Sequence, residues 1–516
     1  MGAAAAVSRG FGFVRVLVVA AVLGTTYLGN TFQASNSVSN VLFELLAAGA
    51  LSAVLVPTFV ELLDRGDQRR TEHLANSVLG LALVVLGAIT LVGVIAAPWL
   101  AHVLSSGASD AHIAAEQESL ATFLLRFFVP QLLLYALGAV AIAVLYAQRR
   151  FVVTAAAPIA STVVIVIAMV VFRLLVGPGE PGLDLTTAEK LTLAIGGTLG
   201  VAGFVAVPTI ALWRRGFRLR PCLTRNDPEV HRLLRLSSWA IFQHAGFGVL
   251  LGAALIVGNG VAGGVVAYQV AFVFFLAPYA VLAQPIHTTI LPEISIDAAR
   301  NDHDAFARSL CWALDSMAVL VVPVSAGMIA LSVPIMRVVA FGHAEQSGGV
   351  DLLAAAMASL SIGLFAYGAF LLFARAYYAL GNSRTPAVAA MVTAFVGVGV
   401  MAVGGALTEG SAKVAALGIG NSVAYLLGAT WLAVGLSRET GHPVIPRALP
   451  RVLVLSVGIG AAAWWIERTI APTGRVATLV VLVVLSATGA ALYWAGLKLL
   501  GGPLPALHPI TTGVDE

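Results

Sequence analysis

The sequence predicts an all-α polytopic membrane protein of about fourteen spans, arranged as two parallel six-helix lobes followed by two further helices. Three observations predict it. Of 516 residues only 10% are charged and 59% are hydrophobic, with mean hydropathy +0.94, whereas soluble chains carry about 25% charged residues. Apolar windows of bilayer-spanning length recur along the whole chain. Basic residues gather in alternate loops.

The first span, 9–30, contains an apolar run from Val16 to Leu28 that is too short for the roughly 20 residues a crossing needs. It must recruit "SRGFGFVR", residues 8 to 15, which draws Arg15 inward. At 1.5 Å per residue Arg15 then lies roughly 9 Å deeper than Arg9. The second span, 36–63, is "SNVLFELLAAGALSAVLVP" with its continuation, and it ends at "DRGDQRR". The third and fourth, 75–103 and 119–147, flank "ASDAHIAAEQE", and "QRR" closes the fourth. The fifth and sixth, 151–177 and 190–213, lead to a basic connector. The seventh and eighth, 238–260 and 264–294, flank "NGVAGG"; the eighth is long and needs tilt or a kink at Pro278 or Pro285. The remaining spans fall at 308–333, 352–380, 385–407, 412–437, 447–467 and 474–500.

The loops at 64–73, 148–150, 214–235, 297–308, 381–386 and 437–451, with the tail, hold roughly 19 Lys and Arg against about 6 in the alternate set, so both termini are expected in the cytoplasm. A net charge of +4 and pI near 9.2 are thereby explained without nucleic acid. Cys222 and Cys311 are too few for a disulfide scaffold or a cysteine zinc site. "MGAAAAVS" runs straight into the first span, which is expected to be an uncleaved anchor.

An internal repeat divides the chain. "VPTFVELLDRGDQRRTEHLANS" from Val56 resembles "LPEISIDAARNDHDAFARSLCW" from Leu291, with Pro57 and Pro292 some 235 residues apart, and the same offset carries Gly107 onto Gly342. Matching loops on one side imply a parallel duplication, the plan of transporters that hold substrate between lobes. The expected domains are an N-lobe at 1–213, a connector at 214–237, a C-lobe at 238–440, an added helix pair at 441–500 and a tail at 501–516.

Charges inside spans point to transport chemistry. They are Arg15, Glu44, Arg126, Asp315 and Arg375, with Arg9 at the mouth of the first span. Glu44 is a candidate partner of Arg15 across the first two spans. Arg126, four residues before Pro130, is a candidate ligand or a donor to carbonyls freed by the proline. Asp315 reads as a satisfied polar group near the inner interface. Guanidinium groups suit an anionic substrate, because they bind phosphate through two parallel hydrogen bonds and stay charged. There is no Walker A sequence, no HExxH and no GxGxxG of weight. The chain therefore reads as a transporter and not an enzyme, with no cofactor and no metal.

The same stretches resemble the MurJ/MviN family of lipid II flippases, within the superfamily that also holds multidrug and oligosaccharidyl-lipid exporters. "SRGFGFVR" is similar to the family opening S-R-x-x-G-x-x-R, and "SNVLFELLAAGALSAVLVPTF" is similar to its second helix. "LLRFFVPQLLLYALGAVAIAVLYAQRRFVVTAAAP" and "ARAYYALGNSRTP" match the ends of the fourth and tenth helices. The resemblance covers about residues 8–440. It implies alternating access between two lobes and transfer of lipid II from the inner to the outer leaflet of the bacterial cytoplasmic membrane. It also implies a polyprenyl-tail groove on the last two helices.

Arg9 and Arg15 take the positions of two cavity arginines. Asn30 stands where many members have Asp, and Phe43–Glu44 stand where others have paired arginines. The expected substrate-binding set is thus Arg9, Arg15, Asn30, Glu44 and Arg126. Phe272, Val273 and Leu276 stand where members often carry Asp, Arg and Glu, so the C-lobe half of the charge cluster is missing. The seventh, tenth, eleventh and twelfth spans also lack interior carboxylates, so a C-lobe sodium site like that of some members is not expected. The partners implied are the polyprenyl-pyrophosphate substrate, membrane lipids and, among proteins, the cell-wall synthesis or division machinery. Alternatives are a flippase for another polyprenyl-phosphate sugar, a cation-coupled multidrug exporter, and a scaffold without transport.

Overall fold

A bilayer offers backbone groups no water, so a chain this apolar satisfies its N–H and C=O groups inside helices. The computed structural model describes the backbone of residues 2–43, 55–108, 110–177, 179–222, 228–345 and 348–500. Among them the regular structure is entirely helical. Ten helices are long and apolar enough to cross a membrane, and a bent pair makes an eleventh. The shorter apolar helices Gly10–Leu23 and Phe242–Gly258, with the helix that starts at Tyr27, complete the set expected of about fourteen spans.

The chain packs as two compact units. The first holds Met1–Val266 with Phe341–Gly349, and the second Ala267–Ala340 with Val350–Glu516. The first unit contains α1 (Gly2–Leu23), α2 (Tyr27–Phe43), α3 (Val56–Asp64), α4 (Gln68–Ile95) and α5 (Ala97–Ser105). It continues with α6 (Ala111–Phe128), α7 (Gln131–Ala147), α8 (Phe151–Val176), α9 (Thr187–Trp213) and α10 (Pro228–Gly258). A core of Val19, Leu23, Leu28, Phe32, Leu120, Leu124, Phe128, Met169, Phe172 and Leu193 joins α1, α2, α6, α8 and α9.

The second unit contains α11 (Gly264–Pro278) from Ala267 onward, its first turn belonging to the first unit, a π-helical turn at Tyr279–Ala283, α12 (Gln284–Ala299), α13 (His303–Ala330) and α14 (Ser332–Val339). It continues with α15 (Gly349–Ser361), α16 (Leu364–Ala379), α17 (Arg384–Leu407), α18 (Gly410–Thr440), α19 (Leu449–Ile470) and α20 (Arg475–Leu499). Here α17 lies along α18, and α13 along α19. The excess length of the eighth span is absorbed between Pro278 and Pro285, where the π-helical turn sits.

Two boundaries differ from expectation. The first span does not run to residue 30. Gly24 adopts φ +73°, and the Thr26 hydroxyl donates to Leu23 O (2.7 Å) while accepting from Gly29 N (3.1 Å). That one side chain closes α1 and caps α2. The stretch "NTFQASNS", expected as a loop, is consequently helical, and Ser35 within it is fully buried. Proline breaks divide other spans: α6 gives way to α7 at Pro130, and the buried Ser39 hydroxyl donates to Phe128 O there (2.6 Å).

The repeat is visible in the helices. Asp67 caps α4 by accepting from Arg70 N, and Asp302 caps α13 by accepting from Ala305 N, both at 2.9 Å. These residues share the offset of Pro57 and Pro292, as do the starts of α5 and α14. The offset also relates two contacts inside the first unit. Gly107 lies against Ile256 O, and Gly342 lies against Ala21 O, so closely that a Cβ at either would collide.

Candidate substrate site

Lipid-facing helices carry few polar side chains, yet α2 carries "NTFQASNSVSN" and buries nearly all of it. Asn30, Thr31, Gln33, Ser35, Ser37 and Ser39 are all buried. The helix is sheltered by α6, α7 and α10, so protein groups and not hydrocarbon surround these residues. Gln33, Ser37 and Asn40 recur at helical spacing and share one face. Ser37 closes onto its own helix through Gln33 O (2.8 Å).

Asn40 is tied to α7. The Tyr135 hydroxyl donates to Asn40 Oδ1 (2.6 Å), and the Tyr135 ring lies 5.0 Å from that of Phe43. Arg15, half-buried on α1 and roughly 12 Å from the Leu23 end, lies within electrostatic reach of Tyr135. The first unit therefore brings a guanidinium, a phenol and a carboxamide together inside a membrane domain. Among the described residues no carboxylate pairs with Arg15. Sequence reasoning missed Tyr135 and Asn40; a tyrosine inside "QLLLYALG" and an asparagine one helical turn before Glu44 were the available signals.

The other expected residues fall as follows. Arg9 lies on α1 nearly two turns before Arg15, with its side chain outside the described part, and Glu44 is outside the described residues altogether. Asn30 is fully buried and uses its amide on backbone: Nδ2 donates to Val261 O (2.7 Å), while Oδ1 accepts from Val265 N (3.0 Å) and Val266 N (3.4 Å). It thus caps the first turn of α11 from another helix. Arg126 is exposed and lines a cavity of about 520 Å³ with Lys190, to which Arg15 does not contribute. Asp315 Oδ1 accepts from Ala448 N (2.9 Å), the satisfied role expected of it.

In the second unit, Phe272, one of the three α11 positions that lack the family charges, belongs to an aromatic array. Tyr268, Phe272 and Phe275 stack in sequence, and Tyr279, Tyr367 and Tyr425 continue the array edge to face at 4.8–4.9 Å. Asn421 Nδ2 donates to the Tyr268 hydroxyl (3.0 Å). Among the described residues no group of three or more His, Cys, Asp or Glu converges as a metal site would require. Beside α13 an apolar cavity of about 420 Å³ is lined by Leu320, Val324, Met328, Ile459, Ala463 and Leu485, among others.

Spans of this number, a parallel repeat and a polar site on α2 define a multi-pass membrane transporter. The fold is shared with solved structures: an inward-facing multidrug resistance MATE family transporter of the MOP superfamily matches with TM-score 0.65 at 14% identity, over 84% of this chain and 95% of that one. A lipid II flippase MurJ in an inward closed conformation matches with TM-score 0.74 at 19% identity, over 97% and 98%. The family model described as "Lipid II flippase MurJ" covers residues 19–485, and the chain belongs to that family. Among relatives, a "Probable lipid II flippase MurJ" of Haemophilus influenzae is 24% identical over 526 residues, 96% of this chain and 97% of its own. "Lipid II flippase MurJ" of Burkholderia cenocepacia is 24% identical over 393 residues, 73% and 72% of the two chains.

Proposed function

We propose that this protein carries lipid II from the inner to the outer leaflet of the bacterial cytoplasmic membrane by alternating access. Family membership supports the substrate, and one observation supports the mode of binding: Arg15 on α1 lies within electrostatic reach of Tyr135, whose hydroxyl is bonded to Asn40 of α2. Guanidinium donates two parallel hydrogen bonds to a pyrophosphate and keeps its charge in a sheltered site. Tyr135, fixed by Asn40, limits the positions the bound anion can take. Arg9 lies ahead of Arg15 on the same helix, where an anion entering from that end meets it first, and Glu44 is the proposed counter-charge that holds Arg15 between transport events. Arg126, on the flank of α6, stands apart from this set.

With the basic loops inside, both termini are cytoplasmic and the Leu23 end of α1 faces outward. Asn30, Gly107 and Gly342 then join the two repeats at the outer end, and these contacts must part for release. The repeats correspond to lobes at 1–213 and 238–440, with 214–237 between them and 441–500 appended. The cavity beside α19 and α20 is apolar and fits an isoprenoid tail. A bacterium depleted of its own lipid II flippase tests the reading: expression of this chain should restore growth. Normal membrane levels without growth, together with restored export of another polyprenyl-linked sugar, would replace lipid II as the substrate.

A further inference from the structure

We infer that Arg126 and Lys190 form a binding site for the phosphate of an anionic phospholipid on the outer flank of the first unit. The span Ala111–Ala147 is longer than a bilayer requires. At 1.5 Å per residue Arg126 lies roughly 32 Å before its Ala147 end, and Lys190 roughly 35 Å before the Trp213 end of α9. Those ends adjoin the basic loops "QRR" and "RRGFR". Hydrocarbon is about 30 Å thick, so both cations reach the headgroup level of the opposite leaflet together.

The face is built for this depth. Ala115, Ser119, Thr122 and Arg126 recur on one side of α6, nearly opposite Leu120, Leu124 and Phe128, which point into the core. Helical side chains lean toward their N-terminus, and for α6 that direction carries the guanidinium up toward the Thr122 and Ser119 hydroxyls. Lys190 closes the cavity from α9. Glu118, the carboxylate of its lining, is held by His102 Nδ1 at 2.9 Å, and Arg126 with Lys190 leaves the lining net positive. Two cations of like sign at the hydrocarbon edge are unfavourable alone and are stabilised by one shared anion. A lipid phosphate occurs at that depth, whereas a free phosphate in water has no reason to favour it.

The full-length protein in detergent, mixed with phosphatidylglycerol or phosphatidylcholine and examined by native mass spectrometry, tests the site. The wild type should retain phosphatidylglycerol about tenfold better, the order expected when charged hydrogen bonds are added. Arg126→Gln with Lys190→Gln should reduce the preference to within about twofold, Arg126→Lys should keep part of it, and Arg214→Gln at the other face should keep it whole. If the double variant does not fold, Lys190→Gln alone provides the reading. Equal retention of the two lipids, an unchanged preference in the variants, equal loss in Arg214→Gln, or displacement of the lipid by millimolar inorganic phosphate would each overturn the proposal.

Discussion

Asn30→Ala removes a side chain that serves three backbone groups at once. Val265 and Val266 are 0% and 1% exposed, so the amides that donate to Asn30 Oδ1 lose that acceptor in a place water does not reach. Val261 O loses the 2.7 Å bond from Nδ2. An orphaned buried group costs about 1–3 kcal/mol. Counting the shorter amide bond alone, about 1–3 kcal/mol is expected, because the 3.4 Å bond contributes little and Val261 O keeps its bond from Gly264 N (2.9 Å). Asn30→Asp keeps the oxygen that accepts from both amides and sets a carboxylate at a helix N-terminus, which offsets about 0.3–1 kcal/mol of the lost donation to Val261. Hydrogen–deuterium exchange over peptides covering 261–268 reads this directly. Each 1.4 kcal/mol of lost protection is a tenfold faster exchange, so Asn30→Ala should accelerate these amides by about 10–100-fold and Asn30→Asp by less. Unchanged exchange in Asn30→Ala, or equal exchange in the two variants, would refute the capping role.

Three further outcomes are expected. Gly107→Ala and Gly342→Ala should both lower the melting temperature of the purified protein; Gly342→Ala adds about 1–2 kcal/mol of backbone strain from its φ of +64°, while Gly458→Ala, with open space around it, should be neutral or slightly stabilising. A cysteine at the exposed Ala111 should react with an impermeant thiol reagent from outside intact cells, and one at the exposed Arg214 only after permeabilisation; the reverse would invert the topology. Ala463→Phe, which narrows the apolar cavity, should weaken binding of a long-chain polyprenyl pyrophosphate more than that of a short-chain analogue, and equal weakening would remove the tail from that groove.

Span number and class were legible because hydropathy is set by the solvent, and a bilayer forces helices whatever their partners. The stretch 30–37 was not. Its Asn, Gln and Ser residues read as an exposed loop when lipid or water is assumed to surround them, but α2 lies among α6, α7 and α10, where such groups are bonded by protein. The partners of Asn30 lie more than 230 positions away in the chain, and no local spacing announces them. Arg15 was legible from depth alone, since the run after it is too short to span. Tyr135 became visible only once α7 was packed against α2. Arg126 was legible as a charge within a span, but its face was not: the break at Pro130 and the pairing with Lys190 depend on the α6–α9 contact.

Transfer of a fluorescent lipid II across proteoliposomes, measured for the wild type, Arg15→Ala and Arg15→Lys, bears most directly on the central claim. The wild type should translocate, Arg15→Ala should fall to the rate of protein-free vesicles, and Arg15→Lys should recover only part, because an ammonium lacks the bidentate fork. Wild-type rates in Arg15→Ala, with the protein folded and inserted, would contradict the claim that Arg15 grips the pyrophosphate.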